Sequence, residues 1–332
     1  MTTPVLSVKN LCVEFATRHG ALVAVDNVSF DVARGEVLGI VGESGAGKSL
    51  TGAAIIGLLE PPGRISAGEV RLNGRRIDNL AHEAMRKVRG KQIGMIFQDP
   101  LTSLNPLYTI GRQLIETIRT HFALSRKEAR QRALKLLDDV GIPAAAERLK
   151  SFPHEFSGGM RQRVVMALAL AAEPDVVIAD EPTTALDVSV QAQIIALLKK
   201  LCRERGTAII LITHDMGVIA EAADRVAVMY AGRIAEIGPA RDVIDRPMHP
   251  YTIGLMGAIP SLEDHKERLV QIPGAMPRLG AIPKGCPFNP RCDRSFERCF
   301  RERPDLLATG TSLASCWLYD PMNMPVALGT TL

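Results

Sequence analysis

The apolar run Val37-Leu38-Gly39-Ile40-Val41 passes directly into Gly42-Glu43-Ser44-Gly45-Ala46-Gly47-Lys48-Ser49, and then into the helix-like stretch Leu50 to Leu59. Strand, glycine-rich turn and helix start in that order form a phosphate cradle. The glycines let backbone N–H groups converge on phosphate oxygens without Cβ clashes. The unpaired N–H groups and dipole of the helix add positive potential at the same point. In such a cradle Lys48 reaches the β- and γ-phosphates, and Ser49 places its hydroxyl on Mg²⁺. Gly42, Ser44, Gly45 and Gly47 supply the wrapping backbone.

The chain has 332 residues, 46% of them hydrophobic, enough for a large core or about two domains. A net charge of +4 does not demand nucleic acid or anionic lipid as a partner. Val164 to Ala172 is among the longest apolar runs and falls far short of the ~18–20 residues that span a bilayer. Met1-Thr2-Thr3-Pro4 shows neither a basic nor an apolar leader region, so a cytoplasmic protein is expected.

The order of elements predicts an α/β fold with a parallel sheet. Val5 to Phe15 and Val28 to Val32 alternate as strands of an antiparallel lobe. Gln92 to Phe97, Val176 to Ala179, Thr207 to Thr213 and Arg225 to Tyr230 read as buried strands. Thr109 to about Leu149 is helical with a break at Gly141-Ile142-Pro143. Gly159 to Ala172 and Val188 to Arg205 are further helices, the second ended by Gly206. Ligands of such sheets sit at the carboxyl ends of the strands. The loop at Gly42, the pair Asp180-Glu181 and His214 all fall there.

Asp180 and Glu181 end an apolar strand. Asp180 suits an outer-shell Mg²⁺ ligand, and Glu181 suits the base that polarises a water for attack on the γ-phosphate. Ser157-Gly158-Gly159-Met160-Arg161-Gln162 places an N-cap and two glycines at a helix start, a second anion site. One phosphate loop has no need of a second such site unless that site serves another subunit's nucleotide.

The series is phosphate loop, Gln98, Ser157 to Gln162, Asp180-Glu181, Ala185-Leu186-Asp187 and His214. Over about residues 5 to 240 it resembles the nucleotide-binding subunits of ATP-binding cassette (ABC) transporters. The resemblance implies a P-loop ABC ATPase core: a RecA-like parallel sheet, an antiparallel β lobe and a helical subdomain at about 99–165. Residues 1–240 would form this domain and residues 241–332 an irregular cysteine-containing extension. Two such domains pair head to tail, so that each ATP lies between one phosphate loop and the other subunit's Ser157, Gly158 and Gly159. Phe15 would stack on adenine. Gln98 would touch Mg²⁺ and the attacking water, Asp187 would bridge the subunits, and His214 would hold the γ-phosphate.

Past Pro239 the texture becomes proline-rich and irregular. His249-Pro250-Tyr251-Thr252, Cys286-Pro287-Phe288-Asn289-Pro290-Arg291-Cys292 and Phe97 to Pro106 resemble oligopeptide and dipeptide importer ATPases. That resemblance implies two integral-membrane permease subunits, a second ATPase (a paralogue is favoured, a second copy is open) and an extracytoplasmic solute-binding protein. The chain would then sit peripherally on the cytoplasmic face of the membrane, with no nucleic acid bound. Cys286, Cys292, Cys299 and Cys316 follow C-x₅-C-x₆-C-x₁₆-C. The resemblance associates this tail with a [4Fe–4S] cluster, which four thiolates fit; structural Zn²⁺ accepts the same ligands. Cys12 and Cys202 stand alone and read as small apolar residues. One alternative is a soluble ABC ATPase acting on DNA or ribosomes, though no second cassette or heptad run is seen. The other is a metal-sensing module, against which Glu181 and His214 argue.

Overall fold

The computed structural model describes residues 3–18, 20–183, 187–258 and 271–323. In chain order the strands are β1 (Leu6–Thr17), β2 (Gly20–Val32), β3 (Val37–Val41), β4 (Gly63–Leu72), β5 (Arg75–Arg76) and β6 (Ile93–Ile96). They continue with β7 (Val176–Asp180), β8 (Ala208–Ile212), β9 (Arg225–Tyr230), β10 (Arg233–Pro239), β11 (Leu307–Thr309) and β12 (Ser312–Ala314). One sheet is an antiparallel lobe ordered β2-β1-β4-β5. The other is ordered β11-β12-β10-β9-β3-β8-β7-β6.

The centre of the larger sheet, β9-β3-β8-β7-β6, is parallel throughout. All five residues of β3 and of β8 are buried, as are the first four of β7. Strands covered on both faces lose the polar alternation of a surface strand, which is why they read as unbroken apolar runs. The register aligns their ends: Asp180 pairs with Ile212, and Ile40 with Ile212 and Ala227. The loops at Gly42, Gln98, Glu181 and His214 therefore leave from one edge.

Between β6 and β7 the chain forms a helical unit. The helix Ile110–His121 buries Ile110, Leu114 and Ile118, a stripe at i, i+4 and i+8. The helix Arg126–Asp139 begins at a capping box in which Ser125 and Glu128 bond reciprocally. The segment expected as one helix with a single break is therefore also broken between His121 and Arg126. Gly141, in the left-handed region at φ 71°, makes the expected later break.

The C-terminal segment returns to the core. β12 pairs with β10 and β11 pairs with β12, adding two strands to the main sheet. The buried Glu236 of β10 accepts the N–H groups of Met248 (2.9 Å) and His249 (2.9 Å). Burial raises its pKa, against the effect of those hydrogen bonds. Tyr251, fully buried, meets Tyr230 (4.6 Å between ring centroids) and Phe288 (5.5 Å), joining extension and core through an aromatic cluster. Cys202 is buried, and Cys12 is half-buried, with its sulfur accepting from Asn27 N–H at 3.3 Å.

Ile210 sits in the middle of β8 with no exposed surface. Ile210→Ala is expected to cost about 2–5 kcal/mol through lost burial and a residual cavity. Denaturant titration should show a lower midpoint with an unchanged slope.

Candidate functional site

The phosphate loop bridges β3 and the helix Lys48–Ile55. Two glycines are dictated by space as well as by backbone angle. At Gly42 (φ 152°) a Cβ would stand 2.2 Å from the Met229 carbonyl oxygen. At Gly47 (φ 97°) it would meet the Ala24 carbonyl oxygen at 3.1 Å and Gly232 Cα at 3.3 Å. The loop thus folds where no side chain fits, and Gly47 serves as the helix N-cap without a side-chain cap. The first N–H groups of that helix are left to an external acceptor.

Lys48 is 5% exposed. Its Nζ donates to the carbonyls of Gly42 (2.9 Å) and Glu43 (3.1 Å). Burial lowers its pKa, while the nearby Glu181, Asp180 and Glu43 pull the other way. A buried ammonium held by its own loop's carbonyls is a strong counter-charge for an anion entering the cradle. Ser49 Oγ donates to Asp180 Oδ1 at 2.9 Å. Burial raises the Asp180 pKa, and Glu181 adds to the rise; the Ser49 hydrogen bond and Lys48 oppose it. A hydroxyl and a carboxylate side by side give the oxygen donors that Mg²⁺ prefers.

Glu181 adopts φ 45°, the left-handed region that non-glycine residues rarely occupy. Its N–H donates to the Ile212 carbonyl (2.8 Å), tying the turn to the neighbouring strand. The carboxylate receives Gln98 Nε2 on Oε2 at 3.1 Å, and His214 Nδ1 lies 3.3 Å from Oε1. Three strand ends therefore meet at one carboxylate. Together Ser44, Gly45, Gly47, Lys48, Ser49, Gln98, Glu181 and His214 line a cleft of about 670 Å³, joined by Ala24, Ala46, Leu50 and Leu279.

Other expected residues lie outside the described lining of that cleft. Phe15, on β1, packs beside Gly63, where an added Cβ would come within 2.8 Å of its ring. Ser157 caps the helix Gly158–Leu170 by accepting from Met160 N–H (3.4 Å), with Gly158 and Gly159 in the first turn. Asp187 caps the helix Val188–Arg205 by accepting from Val190 N–H (2.9 Å). Ala185 and Leu186 fall outside the described residues.

The cysteine expectation is corrected. Cys286, Cys292, Cys299 and Cys316 line one narrow cavity beneath His249 and Phe288, as free thiols. Among the described residues no three His, Cys, Asp or Glu side chains form a group that could hold a metal ion. Burial pushes the Cys286 thiol up to about 12 and Cys316 up to about 11, and raises Cys292 as well. Burial disfavours the thiolate form, and the four side chains pack in this cavity as small apolar groups. Neither the [4Fe–4S] cluster nor its Zn²⁺ alternative is supported.

The C-terminal segment grips the phosphate loop, a contact with no local signature in the sequence. Arg291 pairs with Glu43, and the Glu43 N–H donates to Tyr251 Oη at 2.9 Å. Both tail residues lie in the motifs quoted above, which mark the resemblance to peptide importers but carry no sign of a contact with the loop.

Comparison with known proteins agrees with this geometry. Residues 25–184 match the ABC transporter family, and residues 235–299 match the oligopeptide/dipeptide transporter C-terminal region. The dipeptide transport ATP-binding protein DppD of Bacillus subtilis is 50% identical over 318 residues, 95% of each chain. The oligopeptide transport ATP-binding protein OppD of Escherichia coli is 52% identical, covering 94% of this chain and 92% of its own. Among solved structures, the dimeric post-hydrolysis cassette MJ0796 bound to ADP and Pi superposes with a TM-score of 0.64 at 30% identity. It covers 71% of this chain and 99% of its own. CbiO1 of Clostridium perfringens, part of the transporter complex cbiONQ, gives 0.64 at 28% identity, covering 74% and 92%. The chain belongs to the ABC transporter ATPases, in the group of oligopeptide and dipeptide transport ATP-binding proteins.

Proposed function

We propose that this chain is the ATP-hydrolysing, energy-coupling subunit of an importer for peptides or related small solutes. The observation that carries the reading is the Glu181 carboxylate, joined to Gln98 and His214 at the mouth of a phosphate cradle built on Lys48. The names of the relatives, dipeptide and oligopeptide transport proteins, support the cargo class.

In this reading Lys48 exchanges its loop carbonyls for phosphate oxygens. Ser49 and Asp180 would hold Mg²⁺, which neutralises phosphate charge when bound. Glu181 accepts the proton of the attacking water, while Gln98 and His214 hold that water in line. Ser157, Gly158, Gly159 and Asp187 serve the nucleotide of a second ATPase subunit, a paralogue or a second copy. Their position away from this chain's own cleft, each group at an exposed helix start, fits that role. The dimeric MJ0796 cassette supports the arrangement. Phe15 borders the adenine. Residues 1–240 form the nucleotide-binding domain, with the helical subdomain at about 99–165, and residues 241–332 the extension.

The chain works from the cytoplasmic face of a membrane, docked on two permease subunits supplied by an extracytoplasmic binding protein. No helix among the described residues is long and apolar enough to cross a membrane. The docking face is the helical segment. It leaves Leu107 79% exposed, and Phe97, Leu101 and Phe152 are also open to solvent. Large apolar side chains left in water on the segment next to Gln98 suit a permease partner.

Glu181→Gln is expected to retain Mg-ATP binding and to lower turnover about 10²–10⁴-fold, as loss of a general base does. Equilibrium nucleotide binding and phosphate release, measured on the same preparation, test this. Lys48→Ala should instead lose nucleotide binding itself. Leu107→Asp should leave stability within about 0.5 kcal/mol, because the position is exposed. The same variant should fail to co-purify with membrane subunits from native membranes, whereas retained co-purification would exclude this docking face.

A further inference from the structure

The segment 271–292 meets the phosphate loop and its cleft through Met276, Leu279 and Arg291. The Arg291 side chain is 7% exposed. Nη1 donates to Glu43 Oε2 (2.9 Å) and Nη2 to Glu43 Oε1 (3.1 Å), a bidentate pair. Nε donates to the Pro273 carbonyl (2.8 Å), Nη2 also to the Ile272 carbonyl (3.4 Å), and Nη1 also to Tyr230 Oη (3.4 Å). Every N–H of the guanidinium is thereby used.

Glu43 is held at three points. Arg291 takes its carboxylate, Tyr251 Oη accepts its N–H, and its carbonyl accepts from Lys48 Nζ. The extension therefore reaches the phosphate-binding lysine through one residue. It also reaches the cleft directly. Leu279, 39% exposed, is part of the lining, and Met276 Cγ lies 4.0 Å from where a Cβ on Gly45 would stand.

We propose that residues 271–292 are a wall of the nucleotide site, and that Arg291 is a positioning residue that sets the phosphate loop through Glu43. The proposal rests on the ATPase reading above. A packing role alone would need only that the segment stay attached to the core, which the aromatic cluster of Tyr230, Tyr251 and Phe288 already provides. The guanidinium instead grips a side chain inside the glycine loop. Preorganising that loop removes an ordering cost from nucleotide binding, so the effect belongs in affinity. Leu279 adds apolar surface that water leaves when nucleotide enters.

The test compares the full-length chain with Arg291→Ala, Arg291→Lys, Glu43→Gln, the Arg291→Ala/Glu43→Gln double variant and Leu279→Ala. Mg-ATP dissociation constants, KM and kcat are measured at a temperature where circular dichroism shows every variant folded. Arg291→Ala and Glu43→Gln should each raise the dissociation constant about tenfold. KM should rise by more than kcat falls. The double variant should be no worse than either single change, since both remove one interaction. Arg291→Lys should restore only part of the affinity, because an ammonium cannot make the bidentate pair. Leu279→Ala should also weaken binding. Glu43→Gln carries the test if Arg291→Ala does not fold. Wild-type affinity and KM in these variants, with only the thermal midpoint lowered, would overturn the wall. Wild-type chain that binds no Mg-ATP would overturn the ATPase reading and the wall with it.

Discussion

The common edge of the parallel strands β3, β6, β7 and β8 is the constraint on which the site depends. Each strand is too short and too apolar to do chemistry itself. Hydrogen-bonded register brings their ends level, and the loops that follow deliver polar groups into a shared cleft. Glu181 is one of the non-glycine residues held at positive φ, at 45°. Residues held in that region typically cost on the order of 1–3 kcal/mol, and they persist where the surroundings determine them. Here the Glu181 N–H is bound to β8, and its carboxylate is met from two neighbouring strand ends. The sheet thus bears the strain, and the carboxylate it aims lies beside Gln98 and His214.

Much of this was legible because the central strands are buried on both faces and so announce themselves as apolar runs. The glycine loop was legible because its spacing has one physical use. Other elements left weaker marks. β4 reads Gly63-Arg64-Ile65-Ser66-Ala67-Gly68-Glu69-Val70-Arg71-Leu72 and is mostly exposed or half-buried, so its pairing with β1 rather than its own pattern makes it a strand. β10 contains Glu236, a residue that breaks an apolar run. It is tolerated there because two backbone N–H groups from a later turn satisfy it. The break before Arg126 was readable in principle, since Ser125 and Glu128 have the capping-box spacing.

The extension shows where residue type and residue geometry part company. Four cysteines within a short tail suggest a metal, but although they line one narrow cavity, no three His, Cys, Asp or Glu side chains among the described residues form a group that could hold one. The residue that connects the tail to function is Arg291, which stands next to Cys292 in sequence. Its partner Glu43 lies 248 positions away. No local pattern reports a contact of that separation. Only the folded chain shows that the C-terminal segment grips the phosphate loop.

In the proposed mechanism, nucleotide is enclosed between this cleft and the Ser157 helix start of another ATPase subunit. Light scattering on the Glu181→Gln chain, alone and mixed with its cognate ATPase, with and without saturating Mg-ATP, tests it most directly. A nucleotide-dependent doubling of mass is expected in one of those mixtures. That doubling should be lost when Ser157 is replaced by a bulky cation, as in Ser157→Arg. A mass that stays monomeric at saturating Mg-ATP in every combination would contradict it.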